Sequence, residues 1–254
     1  MTAVEERYAI ERAKWDAHAG TTIDRITPPA PGEDFATRAT RDSLLPGVVE
    51  FLGDLRGKRV IEYGCGLGQL TVLLARSGAE VTAFDISEGS IEVARERAKL
   101  TGVERDITFA VAAGEELPFE DGSFDIAFGK AVLHHLDPVT GAQELARILR
   151  PGGRAAFSEP LGTNPVVQFV RDHVPYPHKH ERGADIPLRR IDIDAWMAPF
   201  SKAELRGVQL FSMVERGLGF HKKLPVLREF DRLLLSRWPE LWPLCRYGVL
   251  TLER

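Results

Sequence analysis

The stretch Val60-Ile61-Glu62-Tyr63-Gly64-Cys65-Gly66-Leu67-Gly68-Gln69-Leu70 limits what this chain can fold into more than any other. An apolar run ends in three glycines at alternate positions and passes into a segment with helical spacing. Glycines so placed let the backbone turn tightly, come close to a ligand and pack the next helix onto its strand, since a Cβ would obstruct one of these. The helix N-terminus then points unpaired N–H groups at whatever lies over the turn. One apolar run later comes Asp85, where open α/β sheets bind ligands. A dinucleotide site reads Gly-x-Gly-x-x-Gly and seats a pyrophosphate on the helix. This chain reads Glu-x-Gly-x-Gly-x-Gly, and the Glu62 carboxylate suits a ligand carrying an ammonium and a sulfonium.

From residue 59 onward, strand-like and helix-like patterns alternate, which predicts a parallel sheet with helices on both faces. Strands are expected at 60–63, 80–84, 107–111, 124–128 and 154–158. Ser87 can cap a helix that buries Ile91, Ala94 and Ala98, and Asp137-Pro138 is a helix start whose buried stripe is Ala142, Leu145, Ala146 and Leu149. Ahead of the sheet, Val4, Tyr8, Glu11 and Trp15 recur at helical spacing over 1–20, and a second helix is expected over 35–54. Beyond Glu159 the spacing predicts a helix at 164–172, a loop at 173–190 and a helix at 225–237. Two last strands, 205–214 and 247–252, would pair antiparallel at the sheet edge.

The glycine block together with Asp85 resembles the first two motifs of the class I methyltransferases that use S-adenosylmethionine (SAM). The resemblance implies a doubly wound, mostly parallel seven-stranded sheet. It implies SAM as cofactor and S-adenosylhomocysteine as product, held by Glu62, Gly64, Cys65, Gly66, Gly68, Asp85 and Ile86. Asp85 would accept the ribose hydroxyls, as an acid there also does in NAD enzymes, or it could simply cap a helix. The block Ala113-Gly114-Glu115-Glu116-Leu117-Pro118-Phe119 extends the likeness. Ala113 stands where many members carry an acid, so an adenine role passes to Gly114 and Glu115. After the fourth strand, Gly129-Lys130-Ala131-Val132-Leu133-His134-His135 is similar to the motif whose backbone meets the methionine part of SAM, which assigns Gly129 and Lys130 to the cofactor. His134 and His135 are the candidate bases for a hydroxyl acceptor, because imidazole titrates near neutral pH; one of the two can equally be structural.

Ser158-Glu159-Pro160-Leu161-Gly162-Thr163-Asn164-Pro165 is similar to a subset of these enzymes. The resemblance organises residues 1–254 as one domain: an N-terminal lid over 1–47, a cofactor-binding core at 48–159, an acceptor-side insertion at 160–204, and last strands and helix over 205–254. Tyr8 and Trp15 either touch the cofactor or belong to a helix that merely covers the domain. His173, His178 and His180 would line the acceptor pocket, bind a metal with Glu181, or sit in a solvated loop, the last being preferred to a metal site. No metal is therefore expected. Phe169, Trp196, Met197, Phe200, Phe211 and Phe220 point to a small, largely apolar acceptor, unless they are core.

Composition narrows the function further. The 254 residues carry a formal net charge of −4, which offers no general attraction to nucleic acid. No apolar run approaches a membrane span, the N-terminus does not resemble a signal peptide, and two cysteines form no disulfide framework, so a cytoplasmic setting is expected. The rival readings are a non-catalytic SAM-binding or interaction module, an NAD-dependent oxidoreductase and a nucleic-acid methyltransferase.

Overall fold

The computed structural model describes residues 3–173, 186–216 and 224–254. The chain opens with helix α1 (Ala3–Gly20), then α2 (Phe35–Arg41) and α3 (Val48–Leu52). The single helix expected over 35–54 is thus two. Pro46 disfavours helical geometry at Leu45, and the N–H of Asp42 closes α2 on Arg38 and Ala39.

The alternating part follows: β1 (Arg59–Tyr63), α4 (Thr71–Arg76), β2 (Glu80–Asp85), α5 (Glu88–Thr101), β3 (Ile107–Val111), β4 (Phe124–Lys130), α6 (Pro138–Ile148) and β5 (Leu149–Pro160). Ser87 caps α5 by accepting from Ser90 N at 2.9 Å, and Asp137 caps α6 by accepting from Thr140 N. Beyond β5 lie α7 (Pro165–His173), α8 (Arg190–Met197), β6 (Lys202–Val208), α9 (Pro225–Arg237) and β7 (Tyr247–Glu253). Helix α8 falls partly in a stretch read as loop, and β6 ends at Val208 instead of running to Val214.

The seven strands form one sheet in the order β3-β2-β1-β4-β5-β7-β6. The first five pair in parallel, and β7 runs antiparallel to both β5 and β6. This is the doubly wound, mostly parallel seven-stranded arrangement expected from the sequence.

Strand periodicity divides the core between the two faces. In β1, Val60 packs on one side with Leu73, Ile91 and Phe128, whereas Ile61 and Tyr63 pack on the other with Leu145, Phe157 and Trp196. Glu62 shares the face of Val60. Phe35, Ala39 and Leu45 belong to the first cluster, so the second half of the 1–47 segment is core and only α1 stands outside it. Trp196 is fully buried, and its ring lies so close to Gly141 that a Cβ there would approach to 2.6 Å. Asp231 on α9 accepts from the backbone N–H groups of Leu210, Phe211 and Ser212, which fastens α9 to the segment after β6.

Among the described residues, no helix is long and apolar enough to cross a membrane.

Candidate functional site

A cavity of about 360 Å³ opens over the C-terminal ends of β1, β2 and β4. Its floor is the glycine turn. Gly64, Gly66 and Gly68 all have positive φ. At Gly64 a Cβ would also lie 2.5 Å from Val132 Cγ2, so this glycine lets the turn after β1 and the turn after β4 meet. At Gly68 the obstruction would be Ala94 of α5, at 2.8 Å.

Two carboxyl groups stand at the strand ends. Glu62, almost fully buried at the floor of the cavity, accepts from Thr71 Oγ1 at 2.5 Å. Burial pushes its carboxyl up to about 8, with the Asp85 charge adding to the rise. Asp85 accepts from Gly66 N at 2.9 Å and Ser87 N at 3.0 Å. Burial raises its carboxyl as well, against the lowering effect of those N–H groups. An ionised carboxylate has about four lone-pair sites. Two hydrogen bonds leave Asp85 with acceptor capacity to spare, so its part in shaping the turn and a part in binding are compatible.

Of the residues picked out from the sequence, Glu62, Gly64, Cys65, Gly66, Asp85 and Ile86 line the cavity, as do Gly114, Glu115 and Lys130. Gly68 and Gly129 do not. Gly68 faces Ala94, and a Cβ on Gly129 would lie 2.7 Å from the Phe157 ring, so both glycines serve packing behind the wall. Lys130 pairs with Asp42 from the turn between α2 and α3.

The two histidines occupy different surroundings. His135 lines the cavity, with its side chain 19% exposed and its Nδ1 3.4 Å from Glu11 Oε1 of α1. His134 lies behind it, 3% exposed, with Nδ1 2.8 Å from Glu159 Oε2. The Glu159 side chain is 1% exposed, and its other oxygen accepts from Val132 N and Leu133 N at 2.9 and 3.0 Å. One buried carboxylate therefore holds both the histidine and the turn that carries it. Ala131 in that turn adopts φ +57, a sparsely populated conformation for a residue with a Cβ, stabilised as its N–H donates to Ser158 O. The two imidazole rings are 4.0 Å apart.

In the sequence Glu159 stands only within the Ser158–Pro165 motif, with no role of its own. The signal was an acid at the end of a central strand.

Helix α1 forms the remaining wall. Arg7, Tyr8, Glu11, Trp15 and His18 face the cavity, a spacing that keeps them on one side of a helix. Tyr8 and Trp15 are thus on the cavity side of α1. Arg7 pairs with Glu115, and Asp16 accepts from Ser87 Oγ at 2.6 Å and Gly89 N at 3.0 Å. Although burial opposes it, His135, Lys14 and Trp15 hold the Glu11 carboxyl below its usual range. Burial and the Glu115 charge push the Tyr8 hydroxyl up to about 12, which keeps it protonated.

The aromatic set expected to shape an acceptor pocket is dispersed. Trp196 and Phe200 are buried in the core, because α8 packs onto α6; Phe169 and Phe211 are exposed, and none of these lines the cavity. Phe220 lies outside the described residues, as do His178, His180 and Glu181. His173 ends α7, where its Nδ1 contacts Phe169 O. Among the described residues, no group of three metal-ligating side chains converges.

Comparison with known proteins places this geometry. Residues 61–157 match the family model described as a methyltransferase domain. Over 157 residues the chain is 35% identical to the ubiquinone biosynthesis O-methyltransferase of Alkalilimnicola ehrlichii, covering 61% of this chain and 60% of that protein. Over 118 residues it is 42% identical to the demethylmenaquinone methyltransferase of Clavibacter sepedonicus, covering 45% of each. The chain spans about half the length of the curated relatives it matches. Among solved structures, an S-adenosylmethionine-dependent methyltransferase from Mesorhizobium loti superposes with a TM-score of 0.57 at 19% identity. That match covers 85% of this chain and 100% of the other, a likeness of fold.

Proposed function

We propose, proceeding from the match of residues 61–157 to a methyltransferase domain, that this chain is a class I SAM-dependent methyltransferase and methylates an oxygen, nitrogen or carbon of a small, largely apolar metabolite. The observation that carries this reading is the cavity wall made of Glu62, the glycine turn and Asp85. The donor set fits the cofactor. Glu62 is a buried carboxyl with one hydrogen-bonding partner, a group that gains from a neighbouring cation, and Asp85 has lone pairs left for two ribose hydroxyls.

Bound SAM supplies a methyl group already activated on a sulfonium. The chain's task is then to align the acceptor and, for a hydroxyl, to remove a proton. In this reading Glu62 holds the ammonium and Asp85 the ribose. Ile86, Gly114 and Glu115 flank the adenine, and Lys130 and Ala131 border the methionine end. His134 takes the acceptor proton. Glu159 orients its ring through Nδ1. His135 with Glu11 ties α1 to the body of the domain.

Support for a small acceptor comes from the relatives' names and from the net charge of −4, which offers nothing to a polyanion. Residues 160–204 would supply its pocket, and a cytoplasmic setting accords with the two free cysteines.

The test is incubation with methyl-labelled SAM and a cell metabolite extract, followed by identification of labelled product. Transfer to a small molecule supports the proposal. Tight S-adenosylhomocysteine binding without any transfer would favour a non-catalytic binding module.

A further inference from the structure

The two edges of the sheet are finished differently. Strand β6 carries the exposed charges Lys202, Glu204 and Arg206, and the segment Pro239–Leu244 packs over it, with Trp242 against Gly207. Charge and cover are the usual devices that keep an edge from pairing with another chain. Strand β3 reads Ile107-Thr108-Phe109-Ala110-Val111, with no charge, proline or glycine, and it pairs on one side only, with β2.

Ala112 N donates to Asp85 O of β2, so the alternate residues Ile107, Phe109 and Val111 turn their N–H and C=O groups to the open side. Among the described residues, the one side chain that hydrogen-bonds to them is Arg95 of α5. Its Nη2 donates to Phe109 O at 3.3 Å, and its guanidinium lies 5.3 Å from the Phe109 ring centroid. Val111 is 49% exposed.

Antiparallel pairing of β3 with a second β3 about Phe109 fits this edge. Ile107, Phe109 and Val111 then each exchange both backbone bonds, with Phe109 opposite Phe109 and Ile107 opposite Val111. Aromatic and β-branched residues make favourable cross-strand pairs, and no like charges meet. The axis relating two antiparallel neighbours stands perpendicular to their sheet, so the two α5 helices stay on one face and run antiparallel. On α5, Glu88, Glu92, Arg95 and Lys99 are exposed and recur at helical spacing, along one stripe that Arg95 places at the β3 edge. Two acids precede two bases. An antiparallel copy therefore sets the acidic half of each stripe against the basic half of the other. Among the described residues, Glu92 and Arg95 form no ion pair. In the pair, Arg95 yields Phe109 O to a backbone N–H of the second chain and turns to that chain's Glu92.

We propose that the β3 edge, together with the charged stripe on α5, is an interaction surface for a second copy of this chain, joining two sheets into one across a twofold axis. Self-complementary charge is what favours a second copy over an unrelated strand. The proposal does not depend on the reading of the cofactor site.

Sedimentation velocity on the full chain, over a concentration series, reads the pairing. The wild type should dimerise. Val111→Pro removes an outward N–H without touching the β2 ladder, so it should sediment as a monomer. Arg95→Glu and Glu92→Arg each place like charges across the axis, and each should weaken the dimer at least about tenfold. Mixed in equal amounts, these two variants restore opposite charges at both contacts, and a heterodimer should form with near wild-type affinity. Each variant is checked for an intact thermal transition; should Val111→Pro fail it, the charge pair decides. A wild type that stays monomeric up to its solubility limit overturns the proposal. So does a dimer that survives Val111→Pro, since another face must then form it, and so do charge variants that pair as well alone as when mixed.

Discussion

His134 Nδ1 lies 2.8 Å from Glu159 Oε2, and both side chains are almost sealed from solvent. The pair joins the end of β5 to the turn after β4, and it separates two histidines that are adjacent in sequence and alike in composition. A base oriented by a buried carboxylate is the arrangement expected of a residue that must present one ring nitrogen in a fixed direction. His134→Ala should lower turnover by roughly 10²–10⁴-fold, the usual weight of a general base. His135→Ala should lower it less. Affinity for S-adenosylhomocysteine should stay within about twofold for His134→Ala, and steady-state kinetics beside calorimetry would check both. Full turnover in His134→Ala would leave alignment as the whole mechanism.

Asp85 tests the cofactor assignment. Asp85→Ala removes charge-assisted hydrogen bonds together worth about 1.5–3 kcal/mol, so S-adenosylhomocysteine should bind roughly 10- to 150-fold more weakly. Part of the loss would come from the Gly66 and Ser87 N–H groups left without their acceptor. Asp85→Asn, which keeps an acceptor, should lose less. An unchanged dissociation constant in Asp85→Ala would refute the ribose role.

Glu62 gives a pH dependence with a definite sign. Its ordinary carboxyl value of 4.5 rises to about 8 in the fold, so between those limits the folded chain retains a proton that the unfolded chain has lost. Stability of the ligand-free protein is therefore greatest below the lower limit. It declines as pH rises through the window and reaches its minimum above the upper one. Glu62→Gln keeps the shape and loses the titration, so it should gain roughly 2–4 kcal/mol over wild type above the window and show a flatter profile. Chemical denaturation at a series of pH values would read this. Parallel profiles would mean that Glu62 is ionised throughout. If the pocket receives an ammonium beside Glu62, binding near neutral pH should also release protons, seen as a dependence of calorimetric enthalpy on the buffer.

Gly64→Ala meets two obstacles, the left-handed backbone and Val132 Cγ2 at 2.5 Å. It should destabilise the fold by about 1–3 kcal/mol and displace the turn carrying Ala131. The double variant Gly64→Ala with Val132→Ala should recover the packing part and leave the backbone part. Additive effects in thermal melts would show that the two turns do not press on each other.

The glycine turn, Asp85 and the alternation of strand and helix were legible because each is a local pattern with a local cause. The same holds for the Ser87 and Asp137 caps, which need only a side chain and a backbone three residues on. What stayed hidden depends on contacts across long sequence separation. Nothing near Glu159 shows that it turns back to Val132 and His134, and nothing near Glu115 announces Arg7. The Leu45-Pro46-Gly47 break is local too, but the longer apolar pattern over 35–54 masks it. The aromatic residues after β5 were misleading for a different reason. Size and apolarity suit a pocket and a core equally well, and only the packing of α8 on α6 tells that Trp196 is core.

Asp16 gives α1 a hold on the glycine-turn half of the molecule that its position outside the core does not suggest. Its carboxylate binds Ser87 Oγ and Gly89 N, the first turn of the helix that follows Asp85. Proteolytic nicking between α1 and α2 would therefore do more than unroof the cavity. It would strip a capping acceptor from α5 and let the loop bearing Asp85 fray from above, so that a clipped preparation would show weakened nucleoside affinity even with every residue of the glycine turn intact.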